Sequence, residues 1–201
     1  DNVELSTITG DSLSACGDYG VHLLNGSDTN TVSNNTANFN FDGIYISSGS
    51  GNTVSNNVAN SNTAGIYLAS SSNNTVANNT ANSNTDGIDL LSSSNNNTLS
   101  GNTANSNTSN GLFLSSSSNN TLNNNTAASN ALRGIYLFSN SNNNRFVSNC
   151  VDSNIAAGFR IENSSANAIL QNDVSKGDTG VLITGSSSGN TITKNNIQSN
   201  N

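Results

Sequence analysis

A short unit recurs along this chain, roughly every 22–24 residues, and such a period marks a repeat architecture. Its clearest sign is a glycine followed by an apolar, a variable and a second apolar residue. The glycines are Gly20, Gly43, Gly65, Gly87, Gly111, Gly134, Gly158 and Gly180. The pairs behind them run from Val21/Leu23, Ile44/Ile46 and Ile66/Leu68 to Phe159/Ile161 and Val181/Ile183. Alternation with period two is a strand signature. A unit this short cannot bury its own apolar side chains, so the copies must stack.

Other slots recur in phase with the glycine. One apolar column reads Val32, Val54, Val76, Leu99, Leu122, Phe146, Ile169 and Ile192. Three residues after each comes an asparagine, Asn35 through Asn195. Five after comes a small or branched residue, such as Ala37, Ala59 or Val151. Eight after comes asparagine again in most coils, as at Asn40, Asn62 and Asn130. Each coil thus offers about four inward apolar side chains and three short strands. Stacked in parallel at about 4.8 Å per coil, the coils bury one thin, continuous core. Identical asparagines then fall above one another and can bond along the axis. Burial of each Val, Leu or Ile stabilises by roughly 1.5–3 kcal/mol.

The phrase N-N-T-V-x-x-N-x-A-x-x-N-x-x-G-I-x-L resembles the right-handed parallel β-helix repeat of NosD-like and archaeal surface β-helix proteins. The resemblance covers residues 20–201 and implies an all-β, right-handed parallel β-helix (solenoid). The repeat count implies eight to nine coils of roughly 22–24 residues, with no capping helix. Residues 1–201 read as a single domain, with 1–19 a degenerate first coil and 20–201 eight regular coils. In the degenerate coil Val3 and Leu5 are expected to fill the long-strand slots, Ile8 the next apolar slot and Leu13 the small slot. The scaffold carries lyases, epimerases, surface-layer proteins and adhesins, so fold does not decide function.

Composition narrows the setting. Only 8% of residues are charged, the net charge is −7, and proline is absent, as buried parallel strands require. Five basic residues, without a patch in the first hundred, argue against nucleic acid as a partner. No apolar run reaches the ~20 residues of a membrane-spanning helix, so membrane insertion is not expected. The chain reads as a mature secreted protein without its leader, or a fragment, at an archaeal or bacterial cell surface. Asn25, Asn34, Asn73, Asn78, Asn96, Asn107, Asn119, Asn124 and Asn163 head Asn-x-Ser/Thr triplets and are candidate glycosylation acceptors. Cys16 and Cys150 fall about six coils apart, roughly 29 Å. A bridge needs Cα atoms within about 7 Å. They are therefore free thiols or form bonds between chains.

The outward position between each inward pair reads His22, Tyr45, Tyr67, Asp89, Phe113, Tyr136, Arg160 and Leu182. Tyr45, Tyr67, Phe113 and Tyr136 form a candidate glycan-stacking stripe, although rings also simply suit strands. A second outward column, Thr31, Thr53, Thr75, Thr98, Thr121 and Thr191, is a candidate ice-binding ladder, broken by Arg145 and Ala168. Asp89 and Glu162 are outward carboxylates three coils, or about 14 Å, apart, too far for paired hydrolytic chemistry. Arg160 beside Glu162 reads as a charge pair. Asp42 and Asp86 read as solvated turn residues. Copper chemistry wants clustered His, Met or Cys, and the chain has one His, no Met and two distant Cys. No cofactor, no metal and no enzymatic activity are expected.

The expected function is structural. Residues 1–100 carry a net charge of −8 and residues 101–201 of +1. Asn200-Asn201-Asp1-Asn2-Val3-Glu4-Leu5 matches Asn62–Leu68 slot for slot. Head-to-tail self-assembly into a filament, sheath or surface layer is therefore expected. It would run through Val3, Leu5, Ile8 and Leu13 at one end and Ile192, Lys194 and Ile197 at the other. The alternative is a carbohydrate-binding or polysaccharide-active module, with cell-surface glycans as partners of the ring stripe.

Overall fold

A computed structural model describes residues 3–200. Among these residues the chain winds through three parallel sheets and forms no helix. A nine-stranded sheet carries three-residue strands such as Thr53–Ser55 and Thr75–Ala77. An eight-stranded sheet carries the longer strands, such as Asp42–Ser47, Ala64–Ala69 and Asp86–Leu91. The third face is a true sheet only at the far end, in Cys150–Asp152, Asp173–Ser175 and Asn196–Gln198. Upstream it is reduced to single bridges, Ser12 to Thr36 to Val58 and on to Cys150.

The inward slots are the ones the period indicates. Val54, Ala59, Ile66 and Leu68 of one coil are fully buried, and their counterparts above and below continue one core. Phe146 and Phe159 enter it as an edge-to-face pair 5.7 Å apart.

The coil corners bend through left-handed backbone at residues such as Asn56, Asn78 and Ser61, where asparagine is tolerated best. Bending removes backbone groups from the sheet ladders, and buried polar groups must be paired. Stacked side chains do this. The Oδ1 of Asn79 accepts from the backbone N–H of Asn57 at 2.9 Å, and its own Nδ2 donates to the Val54 carbonyl at 2.9 Å. The Asn40–Asn62–Asn84 column repeats the device. Two more columns escape a reading that looks only for apolar slots. Asn30, Asn52, Asn74, Asn97, Asn120, Asn144 and Asn167 form a third buried ladder. Ser71, Ser94, Ser117, Ser141 and Ser164 form a fourth, each hydroxyl accepting from the N–H one coil earlier.

The phase of the first coil differs from expectation. Val3 N–H donates to Ser27 Oγ and Ser6 N–H to Asn30 Oδ1, so these residues align with the 27–30 corner. Leu5 has a φ of 52°, like Thr29 at 57°, and is 84% exposed. Val3 and Leu5 therefore fill no long-strand slot. The asparagine spacing of the following coil sets the register here, and it outweighs the apolar character of two residues.

Candidate functional site

The long-strand sheet displays its outward residues in one register. His22 pairs with Tyr45, Tyr45 with Tyr67, Tyr67 with Asp89, Asp89 with Phe113, Phe113 with Tyr136, and Tyr136 with Arg160. Because the strands are parallel and unstaggered, like positions stack. Tyr19, His22 and Tyr45 cluster as a triangle of rings, with centroids 4.4 Å (Tyr19–His22), 4.8 Å (His22–Tyr45) and 5.3 Å (Tyr19–Tyr45) apart. Tyr45 and Tyr67 stack at 4.8 Å, and Phe113 and Tyr136 at 5.1 Å. The result is two ring ladders on one face with Asp89 between them.

The second ladder has a cationic border. The Arg133 guanidinium lies over the Tyr136 ring, 4.4 Å from its centroid, and that of Arg160 lies 5.5 Å away. Arg160 Nη2 also meets Glu162 Oε2 at 2.7 Å, the expected charge pair. The Tyr136 hydroxyl donates to the same Glu162 oxygen at 2.7 Å. Burial, followed by this bond to Glu162, pushes the Tyr136 hydroxyl up to about 12. The Nε atoms of both arginines are buried and have no hydrogen-bond partner among the described residues. The period alone does not bring Arg133 into the stripe, because it precedes Gly134 rather than following it. The available signal is the loss of uniformity in that column, which reads Asp42, Ala64, Asp86, Asn110, Arg133 and Ala157.

The first ladder has an acidic border. Asp42 opens its strand at 3% exposure, with Oδ1 accepting from the Ala64 N–H at 3.3 Å. It is no solvated turn residue, and burial raises its carboxyl to about 6. Asp86 Oδ1 accepts from both the backbone N–H and Nδ2 of Asn110, each at 2.8 Å. Asp89 is 8% exposed, not a solvated outward carboxylate. It lies in register between Tyr67 and Phe113, residues a full repeat away on either side in sequence.

The remaining candidates fall as follows. Ile8 and Leu13 are partly buried against the core, whereas Val3, Ile192 and Ile197 are 39%, 38% and 44% exposed, and Lys194 is exposed. The expected continuation from Asn200 into Leu5 is not in register, since Val3 and Leu5 lie in a corner. Asp1, Asn2 and Asn201 lie outside the described residues. Cys16 and Cys150 are both exposed free thiols. Asn25, Asn34, Asn73, Asn78, Asn96, Asn119, Asn124 and Asn163 sit exposed on left-handed corners. Asn107 does not. It is 1% exposed, and its Nδ2 donates to Asn130 Oδ1 at 2.9 Å inside a ladder, so no glycan fits there. The threonine column stacks as expected from Thr31 through Thr121.

The stacked parallel coils and the ring-lined sheet define a parallel β-helix protein. Residues 1–155 match the family described as Periplasmic copper-binding protein (NosD), and the chain belongs to that family. No curated protein sequence matches it significantly. Among solved structures, the periplasmic alginate epimerase AlgG is 20% identical with a TM-score of 0.82, over 90% of this chain and 47% of that one. An A-module of an Azotobacter vinelandii mannuronan C-5 epimerase is 16% identical with a TM-score of 0.70, over 85% and 58% of the two chains. A pectate lyase is 16% identical with a TM-score of 0.60, over 96% and 69%. The chain spans about half the length of the alginate epimerases. At these identities the likeness shows the fold alone.

The expectation that the chain is not an enzyme does not stand, because alginate epimerases and a pectate lyase share its fold over most of its length. The family description raises copper, and the donor set does not match it. Copper favours clustered imidazole, thiolate or thioether ligands. His22 is the only histidine and there is no methionine. Among the described residues no three His, Cys, Asp or Glu side chains group to hold a metal.

Proposed function

We propose that this β-helix is a polysaccharide-binding or polysaccharide-active protein that lays an acidic glycan along the long-strand sheet. The observation that carries the reading is the pair of ring ladders on one face, ending at the two guanidiniums around Tyr136. The stacked rings turn their faces to one another and their edges outward, so each ladder offers a sugar a flat row of ring edges. Guanidiniums match carboxylates in shape and charge. In a chain of net charge −7, a local cationic border stands out as a feature with a purpose. The neighbours named as alginate epimerases and pectate lyase support a polysaccharide as the partner. The family's periplasmic description supports a location outside the cytoplasm.

Binding of oligouronates and of neutral oligosaccharides, measured by calorimetry, tests this. Binding of the uronates is expected, with a loss of about tenfold in Tyr136→Ala, the effect of roughly 1.4 kcal/mol. Arg133→Gln is expected to erase the preference for uronates over neutral sugars. If neither glycan class binds, the proposal fails.

A further inference from the structure

Asp89 occupies the one rung, between Tyr45 and Tyr136, where the ring ladder is interrupted. Tyr67 lies on the coil before it and Phe113 on the coil after it, in direct strand register. Those two rings are two coils apart, or about 9.6 Å. That is twice the 4.8 Å separation of Tyr45 and Tyr67. The position therefore has the spacing of a missing ring, with a short side chain at its base.

The carboxyl group there is unusual. Asp89 is 8% exposed, and its Oδ1 is buried with no hydrogen-bond partner among the described residues. A buried polar oxygen without a partner costs about 1–3 kcal/mol, and such groups in native folds call for an explanation. The charges facing it are of like sign. Asp86 lies on its own strand and Asp42 two coils before it. On the adjacent strands Tyr67 is the titratable neighbour and Phe113 carries no charge. Burial, followed by Asp86 and Asp42, holds the Asp89 carboxyl well above the usual carboxylate range. A neutral carboxyl both donates and accepts a hydrogen bond. A carboxyl whose site favours its protonated form can therefore serve as a donor.

We propose that Asp89 is the polar specificity residue of the stripe, a buried carboxyl that hydrogen-bonds the sugar ring lying across the gap between Tyr67 and Phe113. The proposal rests on the glycan-binding reading and adds the residue that orients the ligand. Ring stacking alone lets a chain slide along the face, whereas one buried hydrogen bond fixes its register. Ionisation of Asp89 removes the donor and places a third negative charge beside Asp42 and Asp86, which repels an acidic glycan. Binding must therefore weaken as pH rises.

The test is oligouronate affinity of the full chain between pH 5 and 9, for wild type, Asp89→Asn and Asp89→Leu. A thermal melt establishes that each variant is folded. Wild type is expected to bind about tenfold more weakly at the alkaline end. Asp89→Asn keeps the size and a donor without a titratable proton, so its affinity is expected to fall less with pH than that of wild type, the remaining dependence coming from Asp42, whose carboxyl is raised to about 6. Asp89→Leu is expected to bind about fivefold to tenfold more weakly than wild type at low pH, the effect of losing one hydrogen bond. A wild-type profile matched by Asp89→Asn overturns the proposal while leaving glycan binding intact. So does an Asp89→Leu variant that binds like wild type. Absence of glycan binding by all three proteins at every pH overturns the glycan reading and this proposal with it.

Discussion

The Tyr136 hydroxyl donates a 2.7 Å hydrogen bond to Glu162, one coil further along the solenoid. It is the largest of the influences that hold the Glu162 carboxyl below its usual range, with the Arg160 guanidinium adding to it. A carboxyl with a lowered folded-state value contributes stability above the usual glutamate range. That contribution is lost as pH falls through the folded value. Tyr136→Phe should raise the Glu162 value, visible in a carboxyl carbon NMR titration. The cost at neutral pH should be about 1 kcal/mol or less, since the pair is partly solvated.

Asp42 behaves in the opposite way. Burial raises its carboxyl to about 6. The folded state then holds a proton that the unfolded chain has already released above about pH 4. Stability from this group is greatest below the unfolded value and falls as pH rises to about 6. Asp42→Asn keeps an oxygen to accept from the Ala64 N–H and removes the ionisation. The variant should be more stable than wild type by roughly 1–3 kcal/mol at pH 7, with the gain vanishing near pH 4. Denaturant unfolding at the two pH values measures it. Equal stability at pH 7 would count against a buried, raised Asp42.

Asn79 occupies the middle of a buried ladder. Its side chain accepts from the N–H and Nδ2 of Asn57 and donates to the Val54 carbonyl and Asn102 Oδ1. Asn79→Ala strands buried partners on both adjacent coils. A loss of about 3–5 kcal/mol is expected. Exposed Asn78 on the neighbouring corner provides the control, where Asn78→Gly should change stability by less than about 1 kcal/mol. Chemical denaturation separates the two.

Gly87 is required by space. A Cβ there would lie 2.5 Å from the Gly111 carbonyl oxygen and 2.8 Å from Ala104 Cβ. Both obstacles belong to the packed interior and cannot swing aside. Gly87→Ala should destabilise by about 2–4 kcal/mol. Paired with Ala104→Gly it should recover only part of the loss, because the backbone carbonyl remains. A melting temperature for each variant decides this.

The inward half of this protein is legible in its sequence. Val54, Ala59, Ile66 and Leu68 announce their burial by slot, because a fixed period leaves a side chain only one place in the coil. The same period puts Tyr45, Tyr67, Phe113 and Tyr136 in one column, and the strand register agrees. The Asn30 and Ser71 columns are visible as repeats, but their inward direction is not, since both residue types are equally at home on a solvated corner.

The tertiary structure decided what the outward residues experience. Asp89 looks like any surface aspartate in its own strand, yet between the strands of Tyr67 and Phe113, each one repeat away in the chain, it is 8% exposed. Arg133 enters the site only because Tyr136 lies within reach of its guanidinium. Val3 and Leu5 shift to a corner because Asn30 Oδ1 captures the Ser6 N–H. A repeating sequence by itself determines which way most side chains point, because direction is a property of one coil. Burial, charge and register belong to pairs of coils, and only stacking brings those pairs together.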